Sequence, residues 1–295
     1  MLEPAFVQHL EEALSERLNT SITIDQVSAA TGGCINQAYQ LHAAQSSWFL
    51  KRNSATCEDM FAAEMDGLAT LAEATAFRIP TPLFYGRFGS YSYLVMEYLA
   101  LEGRVQDVAF ATALRGMHEI HQSRYGYHRD NYIGASAQFN NMHDNWFDFF
   151  MQERLERQVR MLTDMGNGRE LQRIWPDFNR ACEALFADYQ PKASLLHGDL
   201  WQGNVGQVGG IPSIYDPACY YGDAETDLAM LELFGHPSNQ FYETYDKGRE
   251  IAPGREIRKH CYNLYHILNH ANLFGGGYLS QANGLIKDII SAIIR

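Results

Sequence analysis

The chain has 295 residues, 46% hydrophobic, 20% charged and 13% aromatic, a composition that excludes the disordered and fibrous classes. At that length folding buries roughly 75% of the unfolded surface, so the core needs no staples. Lys and Arg number 23 against 35 Asp and Glu, a formal net charge of −12, which argues against nucleic acid or an anionic membrane as the main partner.

The N-terminal stretch is acidic and amphipathic, without the basic start, apolar centre or small-residue cleavage site of a secretory signal or transit peptide. Phe6, Val7, Leu10, Ala13, Leu14 and Leu18 recur at helical spacing and predict a helix over 3–18. Strands are predicted over 21–27, 37–42 and 48–51, with the small-residue stretch 29–36 between the first two. A helix over 58–73 carries Phe61, Met65, Leu68 and Leu71 on one stripe, and strands 83–88 and 91–98 follow, joined by the Gly89-Ser90 turn. Beyond Leu99 the pattern turns helical: 107–121, 144–165, 168–189 (interrupted by Pro176), 223–234, 239–247, 255–274 and 282–294. The exception is 194–216, short strands around the turn Val208-Gly209-Gly210-Ile211-Pro212. The expected organisation is α+β: an antiparallel-sheet N-lobe with one main helix over 1–98, and a helical C-lobe over 99–295 with a hairpin near its middle. No apolar stretch approaches the roughly 18 residues of a membrane span. The five cysteines, Cys34, Cys57, Cys182, Cys219 and Cys261, are scattered without a CxxC, as in a reduced, cytoplasmic protein.

The strongest chemical signal is His197-Gly198-Asp199-Leu200-Trp201-Gln202-Gly203-Asn204, followed by Asp216 in Ser-Ile-Tyr-Asp-Pro. An Asp, an Asn five residues on and a second Asp ending a strand suit magnesium-assisted phosphoryl transfer: the first accepts the substrate hydroxyl proton, and the other two are hard oxygen ligands. Asp and Asn also cap turns, so this pair alone does not decide. Lys51 ends the apolar run Trp-Phe-Leu-Lys and Glu64 lies on the following helix. In a kinase such a lysine holds phosphates and is fixed by a helix glutamate, whereas in isolation each is an ordinary solvated charge. Gly32 and Gly33, between two strands, would let backbone N–H groups approach phosphate oxygens, or form a plain hairpin turn. Walker, Rossmann and G-x-S-x-G patterns are absent. Backbone groups of Glu97 and Leu99, where the two parts join, could pair with an adenine edge, or the segment is a plain buried strand. His118/His121 and His266/His270 have helical spacing but no accompanying ligand set, and the Tyr/Phe-rich segment 262–274 reads as core.

At HGDLWQGN and YDPACYYGDAETDLAML, with further matching segments along nearly the whole chain, the sequence resembles the fructosamine kinase (ketosamine 3-kinase) family. That family groups with the aminoglycoside and choline phosphotransferases of protein-kinase-like fold. The resemblance implies Asp199 as catalytic base and Asn204 and Asp216 as Mg²⁺ ligands. It further implies Lys51 paired with Glu64 on the phosphates of ATP, and Met96–Leu99 as the adenine hinge. Asp227 looks like the buried carboxylate that braces the catalytic loop, with His197 as further support. Trp201 is a platform for the sugar or its amine, and Asp223 and Glu225 an acidic neighbourhood suited to an amine substrate. Cys34, in the glycine-rich loop, matches a position associated with redox sensitivity among relatives. The implied activity is a cytoplasmic, Mg·ATP-dependent kinase, monomer or homodimer, acting on the 3-hydroxyl of free or protein-bound fructosamines or ribulosamines. The rivals are a kinase for an aminoglycoside, choline or thiosugar, and a catalytically silent nucleotide-binding protein.

Overall fold

The computed structural model describes residues 2–30, 35–44, 46–235 and 237–294. Gly32, Gly33 and Cys34 therefore lie outside the described residues.

The N-terminal part is organised by one antiparallel sheet of strand order β1-β2-β3-β5-β4, built from β1 (Gln26–Ala29), β2 (Gln37–Ala43), β3 (Ser46–Ser54), β4 (Pro82–Phe88) and β5 (Tyr91–Glu97). Alternation along β3 sends Trp48 and Leu50 to one face, where Phe6, Leu10 and Leu14 of α1 (Pro4–Leu18) cover them. On the other face Phe49, Leu94 and Met96 pack with Met60, Phe61 and Leu68 of α2 (Glu58–Leu71). Because side chains alternate, Lys51 shares that second face, and its neighbours across the sheet are Ala38 and Leu94.

Past β5 the chain is mainly helical: α3 (Asp107–His118), α4 (Trp146–Phe149), α5 (Glu156–Asp164), α6 (Arg169–Phe186), α7 (Glu225–Leu233), α8 (Asn239–Tyr245), α9 (Arg255–Phe274) and α10 (Tyr278–Ile293). Two expectations change here. Pro176 does not interrupt α6, which runs through it; burial of Leu171, Phe178, Ala181, Cys182 and Phe186 on one stripe outweighs the one backbone bond that proline removes. The single helix expected over 144–165 is α4 and α5 joined by a π-helical stretch, Phe150–Leu155, in which both Glu153 and Arg154 are buried. Arg154 there donates to Asn140 Oδ1 at 2.7 Å and stacks on Tyr220.

Short strands complete this part. β6 (His121–Gln122) and β12 (Tyr220–Gly222) flank β9 (Ala193–Leu196), and β7 (Asn131–Ile133) pairs with β8 (Ser136–Gln138). β9 falls in the stretch where strands are expected, and β6, β7, β8 and β12 are not suggested by the sequence pattern. The expected hairpin is present as β10 (Val205–Val208) and β11 (Ile211–Ile214), in antiparallel register from Val205–Ile214 to Val208–Ile211. Among the described residues no helix is long and apolar enough to cross a membrane.

Candidate active site

The segment between β9 and β10 holds the motif, and its backbone is pinned by one side chain. Asp227 on α7, 1% exposed, accepts hydrogen bonds from the N–H groups of His197 (2.8 Å) and Gly198 (2.9 Å) and lies 3.2 Å from His118 Nε2. Burial alone would raise its pKa, but its hydrogen bond with His118 and the proximity of His118 and His197 hold it below the usual carboxylate value. Gly198 has φ +81°, and a Cβ there would meet Ala218 O at 2.1 Å, so only glycine fits between the bracing carboxylate and the Ala218 backbone. The imidazole of His197 is fully buried, with Nδ1 accepting from Asp199 N–H and Nε2 donating to Tyr215 O at 2.9 Å. Those two bonds fix its tautomer, and burial pushes its pKa down, so it acts as a neutral spacer between the two ends of the motif.

Asn204 is held by its own Nδ2, which donates to Asp199 O at 2.9 Å. The amide oxygen is thereby turned away from the loop backbone. The Val205–Ile214 pairing and the Tyr215 N–H bond to Asn204 O (3.2 Å) bring Asp216 back beside Asn204. Asp216 has φ +59°, a left-handed conformation uncommon outside glycine and asparagine or aspartate. Its Oδ1 accepts from Lys51 Nζ, and Lys51 Nζ also donates to Glu64 Oε1 at 2.5 Å. Lys51 and Glu64 are 6% and 9% exposed, so neither is the solvated charge that each resembles in isolation. Glu64 lies on the sheet-facing stripe of α2, one turn from Met60 and one from Leu68, both buried. Burial works against the Lys51 charge, but Asp216 and Glu64 together outweigh it and raise its pKa above the ordinary lysine value.

Asp199 faces the same cavity, of about 350 Å³, as Lys51, Glu64, Asn204 and Asp216. Burial, and then the charges of Asp216 and Asp227, push its carboxyl up to about 7 against the opposing hydrogen bond from Asn204. A carboxylate poised there can exchange a proton with a hydroxyl near neutrality. Two carboxylates and an amide oxygen, all hard donors, converge with more negative charge than Lys51 neutralises. That donor set fits Mg²⁺, which takes one or two carboxylates and completes its shell with water and phosphate oxygens.

The remaining expected residues divide. Trp201 lines the cavity and is 40% exposed, its ring edge-on to Phe234 at 6.1 Å. The ring lies over Gly203, where a Cβ would come within 2.2 Å of it. Asp223 does not line this cavity and is corrected: it is 2% exposed, accepts from Tyr262 OH at 2.5 Å and caps the start of α7 through Glu225 N–H at 3.0 Å. Glu225, its expected companion, is bound by both Arg258 Nε and Nη2, at 2.8 and 2.9 Å. Their proximity to the motif in sequence is spent on anchoring α7, which points them into a separate cavity lined by Tyr189 and Arg255. Met96 is buried, Glu97 pairs its side chain with Arg78 and its N–H with Thr81 O, and Leu99 O accepts from Leu101 N–H; none of the three lines the cavity holding Asp199.

On α9, His266 and His270, set aside as a metal pair, and Asn269, which the sequence did not single out, form the wall opposite the 197–204 segment, with Leu273 and Phe274 beyond them. The rest of that helix is core as expected, with Tyr262, Leu264, Tyr265, Ile267 and Leu268 buried. The available signal was a polar stripe at i, i+3, i+4 on an otherwise apolar helix. His118, set aside as a metal ligand, serves instead in the brace, with Nδ1 2.6 Å from Tyr245 OH.

A profile described as fructosamine kinase matches residues 6–292. A relative described as a probable ketoamine kinase, from Synechocystis sp., is 39% identical over 293 residues, covering 97% of this chain and 98% of its own. A chloroplastic protein-ribulosamine 3-kinase of Oryza sativa subsp. japonica is 35% identical, covering 94% of this chain and 82% of its own. Among solved structures, one assigned as a fructosamine-3-kinase from Haemophilus somnus 129PT superposes with a TM-score of 0.86 at 27% identity, covering 95% and 96% of the two chains. An aminoglycoside phosphotransferase in ternary complex with AMP-PNP and hygromycin B shares the fold alone, with a TM-score of 0.60 at 16% identity over 96% and 98% of the chains. Profile, relatives and kinase-like architecture agree with the lysine and carboxylates gathered in the cleft: the chain belongs to the fructosamine kinase family and is an ATP-dependent phosphotransferase.

Proposed function

We propose that this enzyme phosphorylates the 3-hydroxyl of the sugar in fructosamines or ribulosamines, using Mg·ATP. The observation that carries the reading is Asp199, held near neutrality in a cleft with Lys51 and Asp216 on one side and Trp201 and α9 on the other. The names of the relatives, ketoamine kinase and protein-ribulosamine 3-kinase, support the ketosamine.

In this reading the part up to Tyr98 is the nucleotide-binding lobe and the remainder carries the catalytic loop and substrate wall. Lys51, fixed by Glu64, holds phosphate oxygens, and backbone groups from Met96 to Leu99 meet the adenine edge. Asn204 and Asp216 would hold Mg²⁺, which when bound neutralises the phosphate charge. Asp199 accepts the proton as the sugar oxygen forms its bond to the γ-phosphorus and the bond to the β-phosphate oxygen breaks, releasing ADP. Most of the acceleration then comes from positioning and fixed charge. The 3-phosphate product is destabilised as a ketosamine and releases the amine spontaneously, a deglycation.

The test is Mg·ATP consumption with fructoselysine, ribuloselysine, a fructosylated model amine, choline and kanamycin. Turnover on a ketosamine that disappears in Asp199→Asn supports the reading. Turnover confined to choline or kanamycin would overturn the substrate while keeping the phosphotransferase.

A further inference from the structure

With Asp223 and Glu225 committed elsewhere, the charged amine that distinguishes a ketosamine from a free sugar has no carboxylate of the α7 N-terminus to meet in the cleft. The opposite wall offers different chemistry. Asn269 is 3% exposed and its Nδ2 faces the carbonyl of Ile133 at 3.4 Å, which sets the amide orientation. Its Oδ1 is buried with no hydrogen-bond partner among the described residues, and so is Nδ1 of the adjacent His270. Buried polar atoms left open in this way are uncommon in folded chains, and in a cleft wall a ligand group can complete them. Burial also keeps His270 on the neutral side, so this wall presents no cation.

From His270 a series of rings leads outward. Phe234 lies 5.6 Å and Phe274 5.7 Å from it, and Trp201 is 6.1 Å from Phe234. Trp201, Phe234 and Phe274 are 40%, 46% and 59% exposed, although all three line the cleft. Accessible ring faces beside uncharged acceptors form an environment that favours an ammonium group carrying an apolar substituent: the quadrupole attracts the charge, the acceptors take its N–H bonds, and the rings cover the carbon chain.

Resting on the ketosamine reading above, we propose that Asn269 and His270, with the rings of Trp201, Phe234 and Phe274, form the subsite for the protonated secondary amine of the substrate and its carbon substituent. The sugar is thereby placed with its hydroxyls toward Asp199. Recognition of the charge, rather than of the sugar alone, then separates ketosamines from ordinary ketoses.

The experiment compares two acceptors of equal length with the full chain and Mg·ATP: N-butyl fructosamine, charged at the linking nitrogen, and 1-O-butyl fructose, with a neutral oxygen there. The wild type is expected to show a KM about tenfold lower for the amine. Asn269→Leu raises the amine KM several-fold while leaving the ether KM and the ATP KM in place, and Phe274→Ala, whose ring covers the butyl chain of both acceptors, raises the amine KM several-fold more than the ether KM. Equal KM values for amine and ether in the wild type would overturn the subsite without any variant being needed. A variant that raises both acceptor KM values alike would do the same. Wild-type enzyme that turns over no ketosamine would overturn the functional reading itself, an outcome distinct from intact turnover without discrimination between the two acceptors.

Discussion

Asp199→Asn is expected to remove catalysis and at the same time make the protein more stable. In the folded chain burial and the charges of Asp216 and Asp227 push this carboxyl from 3.8 up to about 7. The folded state therefore holds a proton that the unfolded chain has released, and stability falls as pH rises between those values. The full displacement corresponds to about 4 kcal/mol at 1.36 kcal/mol per pH unit, and to about 2–4 kcal/mol when water entering the open cleft is included. For a chain of 295 residues the unfolding entropy is roughly 0.6 kcal/mol per kelvin, so the neutral variant should melt about 3–6 °C higher at pH 8.5. At pH 5 most of the penalty is absent and the gap should shrink to about 1 kcal/mol. Melting curves of wild type and variant at both pH values, without metal or nucleotide, read the effect directly. Turnover with a ketosamine should fall by about 10²–10⁴-fold, with ATP binding retained. A gap that does not change with pH, or a variant less stable than wild type at pH 8.5, would refute the electrostatic account.

Lys51→Met removes the cation between two carboxylates, one of them buried, and should cost about 3–5 kcal/mol in urea unfolding as well as raise the ATP KM. Adding Glu64→Gln should recover part of the stability but none of the turnover. Asp227→Asn offers one acceptor oxygen where His197 and Gly198 now donate to two, so at least one charge-assisted bond is lost. A destabilisation of about 1.5–3 kcal/mol with kcat reduced more than ATP affinity is expected from unfolding curves and steady-state kinetics. Asp223→Asn should keep kcat and the ketosamine KM within about twofold, since the side chain lies outside the cleft. Burial and Glu225 push that carboxyl up to about 7, so wild type should lose stability relative to this variant from about pH 4 to pH 7, measured by urea midpoints.

The convergence of Asp199, Asn204 and, across a hairpin with a plain Gly-Gly signal, Asp216 on one cavity was legible because they are near neighbours in sequence whose placement depends on spacing along one turn. The strand lysine and helix glutamate were legible only as a pair, since neither residue type by itself reveals burial. Adjacency misled at Asp223: two residues before α7 begins at Glu225, the chain needs a capping acceptor, and that local demand took the side chain. The α9 wall was visible only as the His266/His270 spacing and the polar stripe it shares with Asn269, because tertiary packing, not that spacing, decides that the stripe faces the cleft. Pro176 illustrates the same limit in the fold, where a buried stripe overrides a residue that ordinarily stops a helix.

The left-handed backbone at position 216 narrows what heredity can do with this enzyme. Glycine, asparagine and aspartate tolerate that conformation, and of these only aspartate carries charge. Glutamate, the usual conservative exchange, would meet both a backbone penalty and a longer reach. Drift at this codon therefore leads to asparagine or glycine, which leave the chain's path intact while deleting the negative group that Lys51 now binds. A lineage could in this way lose that charge in one step and keep the chain's path, with Lys51 left to balance its burial against Glu64 alone.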